Sequence, residues 1–507
     1  MKQKRLSILC IAAIIMATST LNACSQPTKA PSQSSQSSSN EKINDGKPIT
    51  ISLDMNNYLP SINETPTDQS PIVFRSIQIL ADEFMKIYPN VKIEWDRTKI
   101  SVGNWSQWMT TQLSANAAPD VVMLHGSEFA DRGWYVRLNE ELEKPNIFVN
   151  GNTKWKDMFP DYIWNDPMTT DVKGNIVAIP TVLYPGTATA YYYNKEIFES
   201  LSLTPPKTWE EFKIISEKIN KSGKIAVGPW SLNKQINVAL WDIQFSLGPT
   251  YSKNIQSKWD YNNDGIMTPD ELMRTTYEGN FYMANNPAVL DLFKQIKYKY
   301  TKILQEGAEN TDYEALWVEG KVAMMEDGLW RIPSEEANTK RKFEYGMFPA
   351  PIATTTTSKY AADIEWAKGP YQPPVAESYN IVKSTIERKG KGAQEAVIKF
   401  FQFLTKPENL NQMVLEKNGE SIGAIKGTVI PPQLKGWFEQ DFPRIPKAYW
   451  VTSPTVSSGS RMSRQLEMWV KGMSTDEIFV QNYDKELKKG IDEQIASFGI
   501  DTSTWKK

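Results

Sequence analysis

The chain has 507 residues, 23% of them charged and 40% hydrophobic, with a formal charge of −2. That length suits two or three domains, and the near balance of charge argues against a nucleic-acid partner. A single histidine excludes the H-E-x-x-H pattern of zinc hydrolases, G-x-S-x-G is absent, and the 2 cysteines, Cys10 and Cys24, leave no pair for a disulfide or thiolate zinc site after N-terminal processing.

Lys2, Lys4 and Arg5 precede an apolar run from Leu6 to Thr18 that is too short to span a bilayer comfortably. LNAC follows, ending at Cys24. Small residues before a cysteine at this distance resemble the lipobox of bacterial exported proteins. The resemblance implies a signal peptide over residues 1–23 and a lipid on Cys24; the alternative is an ordinary cleaved signal peptide. Residues 24–46 are dominated by Ser, Gln and Pro and cannot bury enough apolar surface to fold, so they read as a flexible tether. This layout predicts a protein lipid-anchored at the extracellular face of the bacterial cell membrane.

The body opens with ITISLDM, where Ile49, Ile51, Leu53 and Met55 alternate as in a strand. SIQILADEFMKIYP places Ile77, Leu80, Ala81, Phe84 and Tyr88 on one helical face. VKIEW reads as a strand, WSQWMTTQLSAN as a helix and PDVVML as a buried strand. This order predicts an α/β fold with a mostly parallel sheet. Ligands in such sheets sit beyond the carboxyl ends of the strands, here Asn56-Asn57-Tyr58 and His125-Gly126-Ser127. Further on, AQEAVIKFFQFLTKPE sets Val397, Phe400, Phe401 and Leu404 on one face, and helices recur from about Met462. Breaks rich in Pro and Gly occur at YPGTAT, KGPYQPP and GTVIPP. As crossings between two lobes they would form a segmented hinge.

DYNNDGIMTPDE, residues 260–271, fits the pattern of a calcium loop. Asp260, Asn262 and Asp264 stand at alternate places. Gly265 makes the turn, Ile266 offers a carbonyl, and Glu271 can clamp the ion with two oxygens. Thr268, Pro269 and Glu271 read as N-cap, N1 and N3 of a capping box. No second loop is present and SKNIQSKW is a poor entering helix, so the reading is a structural Ca2+ rather than a sensor; the alternative is an Asn/Asp/Gly-rich surface turn.

Eight stretches resemble the maltose-binding-protein-like, carbohydrate-type family of extracellular solute-binding proteins: FMKIYPNVKIEW, APDVVML, GWYVRLNEELE, YYYNKEIFESLSLTPPKTWEEF, WVEGKVAMMEDGLW, YGMFPAPI, ESYNIVK and EAVIKFFQFLTKPENL. They run in family order over roughly residues 47 to 425. The resemblance implies a two-lobe periplasmic-binding-protein-like fold with ligand in the interlobe cleft. Lobe 1 would hold residues 47–185 and 375–430; lobe 2 would hold 186–374 and 431–507, with the calcium loop. It also implies a carbohydrate ligand, handover to the permease of an ABC importer, and no chemistry performed by the chain itself. The calcium loop resembles ones in some oligosaccharide-binding members, where the ion is structural. A monomer is expected, because lobe closure needs only one copy.

Sugar binding needs aromatic faces for pyranose C–H groups and carboxylates or amides for hydroxyl pairs. The chain has 17 Trp, and any one of them is more often packing than ligand contact. Trp330 stands out because the family places a stacking aromatic after the strand KVAMM, and Trp230 lies in GPWSLN, a loop the family aims at the cleft. Asp327 precedes Trp330 and is either an acceptor for hydroxyls or a turn residue. Asn56 and Asn57 follow the first strand; His125 and Ser127 follow the third, where the maltose receptor has a Trp and an Asp nearby. Glu377 and Ser378, at a hinge crossing, and Tyr184 complete the candidates. A secreted glycoside-acting enzyme and a calcium-dependent surface adhesin are the alternative functions.

Overall fold

Alternating apolar residues make the first strand, and Ile51 and Leu53 are fully buried in it. The computed structural model describes residues 42–66, 72–98, 105–123, 133–166, 168–171, 173–186, 189–229, 241–265, 267–305, 311–371, 373, 375–445 and 456–505. Residues Ile43–Lys507 form one compact unit. The strands, in chain order, are β1 (Ile49–Leu53), β2 (Val91–Trp95), β3 (Val121–Met123), β4 (Ala178–Leu183), β5 (Thr189–Asn194), β6 (Ile225–Pro229), β7 (Val322–Gly328), β8 (Tyr345–Pro349), β9 (Trp366–Lys368), β10 (Val375–Ile381), β11 (Ile422–Gly423) and β12 (Asp441–Pro443).

Two main sheets result. The first runs β11-β4-β10-β3-β1-β2 and the second β6-β7-β5-β8; β12 and β9 form a separate ribbon. In the first sheet β1 pairs parallel with β2 and β3. The expectation of a mostly parallel sheet holds only for that half. β10 runs antiparallel to both β3 and β4, and β11 antiparallel to β4. The returning chain enters from the opposite end, which periodicity along β1 to β3 does not reveal.

The helix Ser76–Ile87 buries Ile77, Leu80, Ala81 and Phe84, and Tyr88 beyond it is also buried. The helix Lys391–Leu404 buries Val397, Phe400, Phe401 and Leu404. Phe84 meets Phe400 edge-on at 5.4 Å, tying the two helices together. In the second sheet's layer, the helix Trp209–Lys221 opens on a capping box, with Glu211 N donating to Thr208 Oγ1 and Thr208 N to Glu211 Oε2. Two helices, Val456–Val470 and Asp476–Phe498, close the chain. No described helix is long and apolar enough to cross a membrane.

The chain passes between the sheets after β4, after β9 and after β11. These passages hold one another. Trp437 Nε1 donates to the Pro185 carbonyl at 2.6 Å. Gly186 has φ +101°, and a Cβ there would lie 2.7 Å from the Phe442 ring. Arg444 donates to the carbonyls of Gly369 and Lys368 at 2.9 and 2.8 Å.

Candidate functional site

The carboxyl end of β1 turns sharply. Asn56 adopts φ 46°, a left-handed conformation that Asn tolerates better than most residues, and its N–H donates to Asp54 Oδ1. This aims Asn56 and Asn57 across the sheet to β10. Their Nδ2 groups both donate to Glu377 Oε1, at 2.9 and 3.0 Å, and the Tyr379 hydroxyl reaches Glu377 Oε2 at 3.4 Å. Register shifts flank Glu377 in its pairing with β4, as at a bulge that re-aims a side chain. Ser378 points to the opposite face, where its hydroxyl donates to the Met168 carbonyl at 2.6 Å. The structure thus joins Asn56, Asn57 and Glu377 and places Ser378 in the core.

The second sheet contributes the end of β7. Its residues Glu326 and Asp327 face opposite ways. Asp327 Oδ1 accepts from Gly328 N at 2.7 Å and Oδ2 from Arg331 Nη1 at 3.2 Å. Arg331 also holds Glu314 and Glu335, at 2.7 and 2.6 Å. Burial pushes the Asp327 carboxyl up to about 7, against the pull of Arg331. Both Asp327 oxygens are engaged, so it braces the turn that carries Trp330. The Trp330 ring meets Tyr184, just beyond β4, edge-on at 5.6 Å, and Trp241 at 5.5 Å. Tyr184, Trp330 and Trp241 therefore form a run of rings reaching from one sheet's layer to the other.

Sequence reasoning missed Trp241, one tryptophan among many in a stretch without a periodic signal. His125, Ser127 and Trp230 lie outside the described residues. Six other tryptophans, Trp155, Trp209, Trp259, Trp317, Trp437 and Trp469, are fully buried packing residues.

In the loop 260–271 the expected capping box is present, with Glu271 N donating to Thr268 Oγ1 and Thr268 N to Glu271 Oε2. Asp260 accepts from Asp264 N and Gly265 N, both at 3.0 Å, and Asn262 Oδ1 accepts from Asp264 N. Gly265 has φ 75°, the left-handed turn its place demands. Glu271 Oε1 takes the N–H of Tyr261 at 3.0 Å. All the side-chain donors are hard oxygens, as calcium requires. Among the described residues, though, no three carboxylates, thiols or imidazoles converge closely enough to hold a metal, and Glu271 is turned onto its own helix cap. Ile266 lies outside the described residues.

Residues 68–410 match the family model of the bacterial extracellular solute-binding proteins. The chain belongs to this family. It is a binding protein and not an enzyme. An uncharacterized ABC transporter extracellular-binding protein of Pyrococcus horikoshii is 28% identical over 142 residues, and the match spans 27% of this chain and 29% of that protein. Among solved structures, a family 1 extracellular solute-binding protein from Bifidobacterium longum subsp. infantis matches with a TM-score of 0.58 and 18% identity, over 88% of this chain and 100% of that one. A chitin oligosaccharide binding protein matches with a TM-score of 0.59 and 16% identity, over 88% and 99%. The protein RafE in complex with raffinose matches with a TM-score of 0.52 and 17% identity, over 87% and 100%. At these identities the likeness shows the fold, a mixed α/β fold of the periplasmic-binding-protein type.

This solute-binding protein supports Trp241 from below with a buried charge cluster. Trp241 leads into a π-helical turn, Asp242–Leu247, a geometry frequent at functional sites. Lys299 Nζ contacts both Asp242 oxygens at 2.9 Å, Glu326 Oε2 at 2.7 Å and the Tyr191 hydroxyl at 3.2 Å. Lys299, Asp242 and Glu326 are all essentially inaccessible to water. Burial pushes the Asp242 carboxyl up, with Lys299 opposing. The cluster pins the turn bearing Trp241 to β7, which bears Trp330.

Proposed function

We propose that this protein is an extracellular carbohydrate receptor that takes an oligosaccharide between two lobes and delivers it to the permease of an ABC importer. The carrying observation is the ring run Tyr184–Trp330–Trp241 beside the Asn56–Asn57–Glu377 carboxylate cluster. Aromatic faces and oriented carboxylates are the two groups that sugar recognition needs. A chitin oligosaccharide binding protein and a raffinose-bound protein are among the structures of like fold, which favours an oligosaccharide. Lobe 1 is 47–185 with 375–430 and lobe 2 is 186–374 with 431–507. Ligand that touches both lobes favours the closed state by its extra contacts there.

The lipid on Cys24 and the tether that follows it hold the receptor at the cell surface; the tether ends before residue 46, because Ile43 is fully buried in the core of the compact unit and Asn44 N donates to Glu395. A structural calcium in the loop 260–271 braces lobe 2, with Asp260, Asn262, Asp264, the Ile266 carbonyl and Glu271 as its ligands. Glu271 must rotate off Thr268 to clamp the ion.

Calorimetric titration of the chain from residue 42, which keeps the buried Ile43, tests the reading, using maltose, raffinose, chitin oligosaccharides and cycloalternan, with calcium and again with chelator. Tight binding of one glycan, with calcium changing melting temperature more than affinity, supports it. Binding only to insoluble polymer would favour an adhesin. Loss of binding on chelation with the fold intact would move calcium into the ligand site.

A further inference from the structure

Glu420 and Tyr184 lie together at the edge of the first sheet. They are 6% and 9% exposed. The pairing of β11 with β4 puts Ile422 opposite Leu183 and Gly423 opposite Val182. Continuing that antiparallel register sets Ser421 opposite Tyr184, with Glu420 one step beyond. Ser421 is committed, its Oγ 2.7 Å from the Tyr58 hydroxyl. Glu377 lies on β10, at the other side of β4. Two carboxylates and a phenol thus meet at one end of three adjacent strands, next to Trp330.

Glu377 is satisfied by Asn56, Asn57 and Tyr379. Glu420 is not. Among the described residues no group donates to its carboxylate, and only burial and the charge of Lys417 act on it. Lys417 is occupied elsewhere, donating to the Asn57 carbonyl and lying over the Tyr58 and Phe74 rings at 5.0 and 4.8 Å. The Tyr184 hydroxyl likewise has no hydrogen-bond partner among the described residues; burial, then the charges of Glu420 and Glu377, raise its phenol well above the usual range. A carboxylate so little exposed and without a hydrogen-bond donor costs the fold free energy. Groups kept in that state mark a place where stability is given up for binding.

We propose that Glu420 and Tyr184 form a hydroxyl-binding subsite of the cleft, in which Glu420 accepts from a sugar hydroxyl and the Tyr184 hydroxyl bonds the same or the adjacent one, beside the ring face covered by Trp330. The subsite takes neutral, hydroxyl-rich rings; an anionic sugar meets the charges of Glu377 and Glu420 and is disfavoured. The inference rests on the carbohydrate-receptor reading.

The test is titration of the native chain, Glu420→Gln and Tyr184→Phe with the same four glycans, alongside thermal melts. Glu420→Gln keeps the shape and removes the buried charge. It should melt higher than the native chain while its Kd for the bound glycan rises roughly tenfold to a hundredfold, the worth of a hydrogen bond to a charged group. Tyr184→Phe should weaken binding roughly twofold to tenfold. A lower melting temperature for Glu420→Gln with unchanged Kd overturns the subsite and leaves the receptor reading standing. If Glu420→Gln does not fold, an unchanged Kd for Tyr184→Phe overturns the subsite alone. Binding of none of the four glycans by the native chain overturns the receptor reading, and the subsite with it.

Discussion

The Trp330 indole rests directly on the backbone of Gly328: a Cβ at Gly328 would stand 2.3 Å from both Cη2 and Cζ3 of the ring. Only glycine permits this approach. Beneath it the Tyr192 hydroxyl donates to the Gly328 carbonyl at 2.8 Å, so the backbone cannot retreat easily. Gly328→Ala should therefore lift the ring from its seat. The expected result is a shift in tryptophan emission, a stability loss of about 1–3 kcal/mol from overpacking, and weaker glycan binding. An unchanged emission spectrum and Kd would show that the ring has another resting place.

Lys299 pairs with two carboxylates that are closed to water. Lys299→Met should cost roughly 3–5 kcal/mol, because it strands buried charge. Adding Asp242→Asn to Lys299→Met should recover part of the loss. Urea unfolding midpoints of the single and double variants measure both. A double variant no more stable than the single one would indicate lost packing instead of stranded charge.

The Asp327 carboxyl gives a signed pH dependence. Burial lifts it from 3.8 to about 7 in the folded chain, with Arg331, Glu314, Glu335 and Tyr192 as its charged and titratable neighbours. Between those values the folded state keeps a proton that the unfolded state has released, so the stability contributed by this group falls as pH rises through the window. Melting temperatures from about pH 4.5 to 7.5 should fall less steeply for Asp327→Asn than for the native chain. Parallel profiles would mean that other groups set the slope.

Calcium binding in the loop is open to spectroscopy. Tyr261 sits inside it, its N–H on Glu271 Oε1, and can sensitise terbium luminescence. Terbium emission should appear with the native chain, and excess calcium should displace it. Saturating calcium, at a hundredfold its Kd, should add about 2.7 kcal/mol of stability. Glu271→Gln should abolish both effects while retaining helix, since an amide oxygen can still cap Thr268. Melting curves that chelator leaves unmoved would leave the loop as an ordinary surface turn.

Local signals were readable in the chain. The alternation through Ile49, Ile51 and Leu53, the apolar faces at 76–87 and 391–404, and the capping box at Thr268 each depend on residues a few places apart; the capping box at Thr208, just as local, went unread. The candidate site was readable in part. Asn56, Asn57 and Glu377 can be named from strand ends and hinge position, but their hydrogen bonds join residues 320 and 321 places apart. Glu420 escapes notice because the strand that aims it, β11, is two residues long. Lys299 lies in KQIKYKYTK, where nothing but burial separates it from its neighbours.

The three passages between the sheets have a consequence for inheritance. Each main sheet is assembled from runs of chain that the other sheet interrupts, and Trp437, Phe442 and Arg444 lash the passages together. A single recombination breakpoint between two relatives therefore cannot exchange one lobe whole; it splices a mixed sheet with mismatched lashings. New specificities should arise by substitution within an intact frame or by exchange at several breakpoints at once. A protease nick at any one passage would likewise leave two covalent links holding the halves.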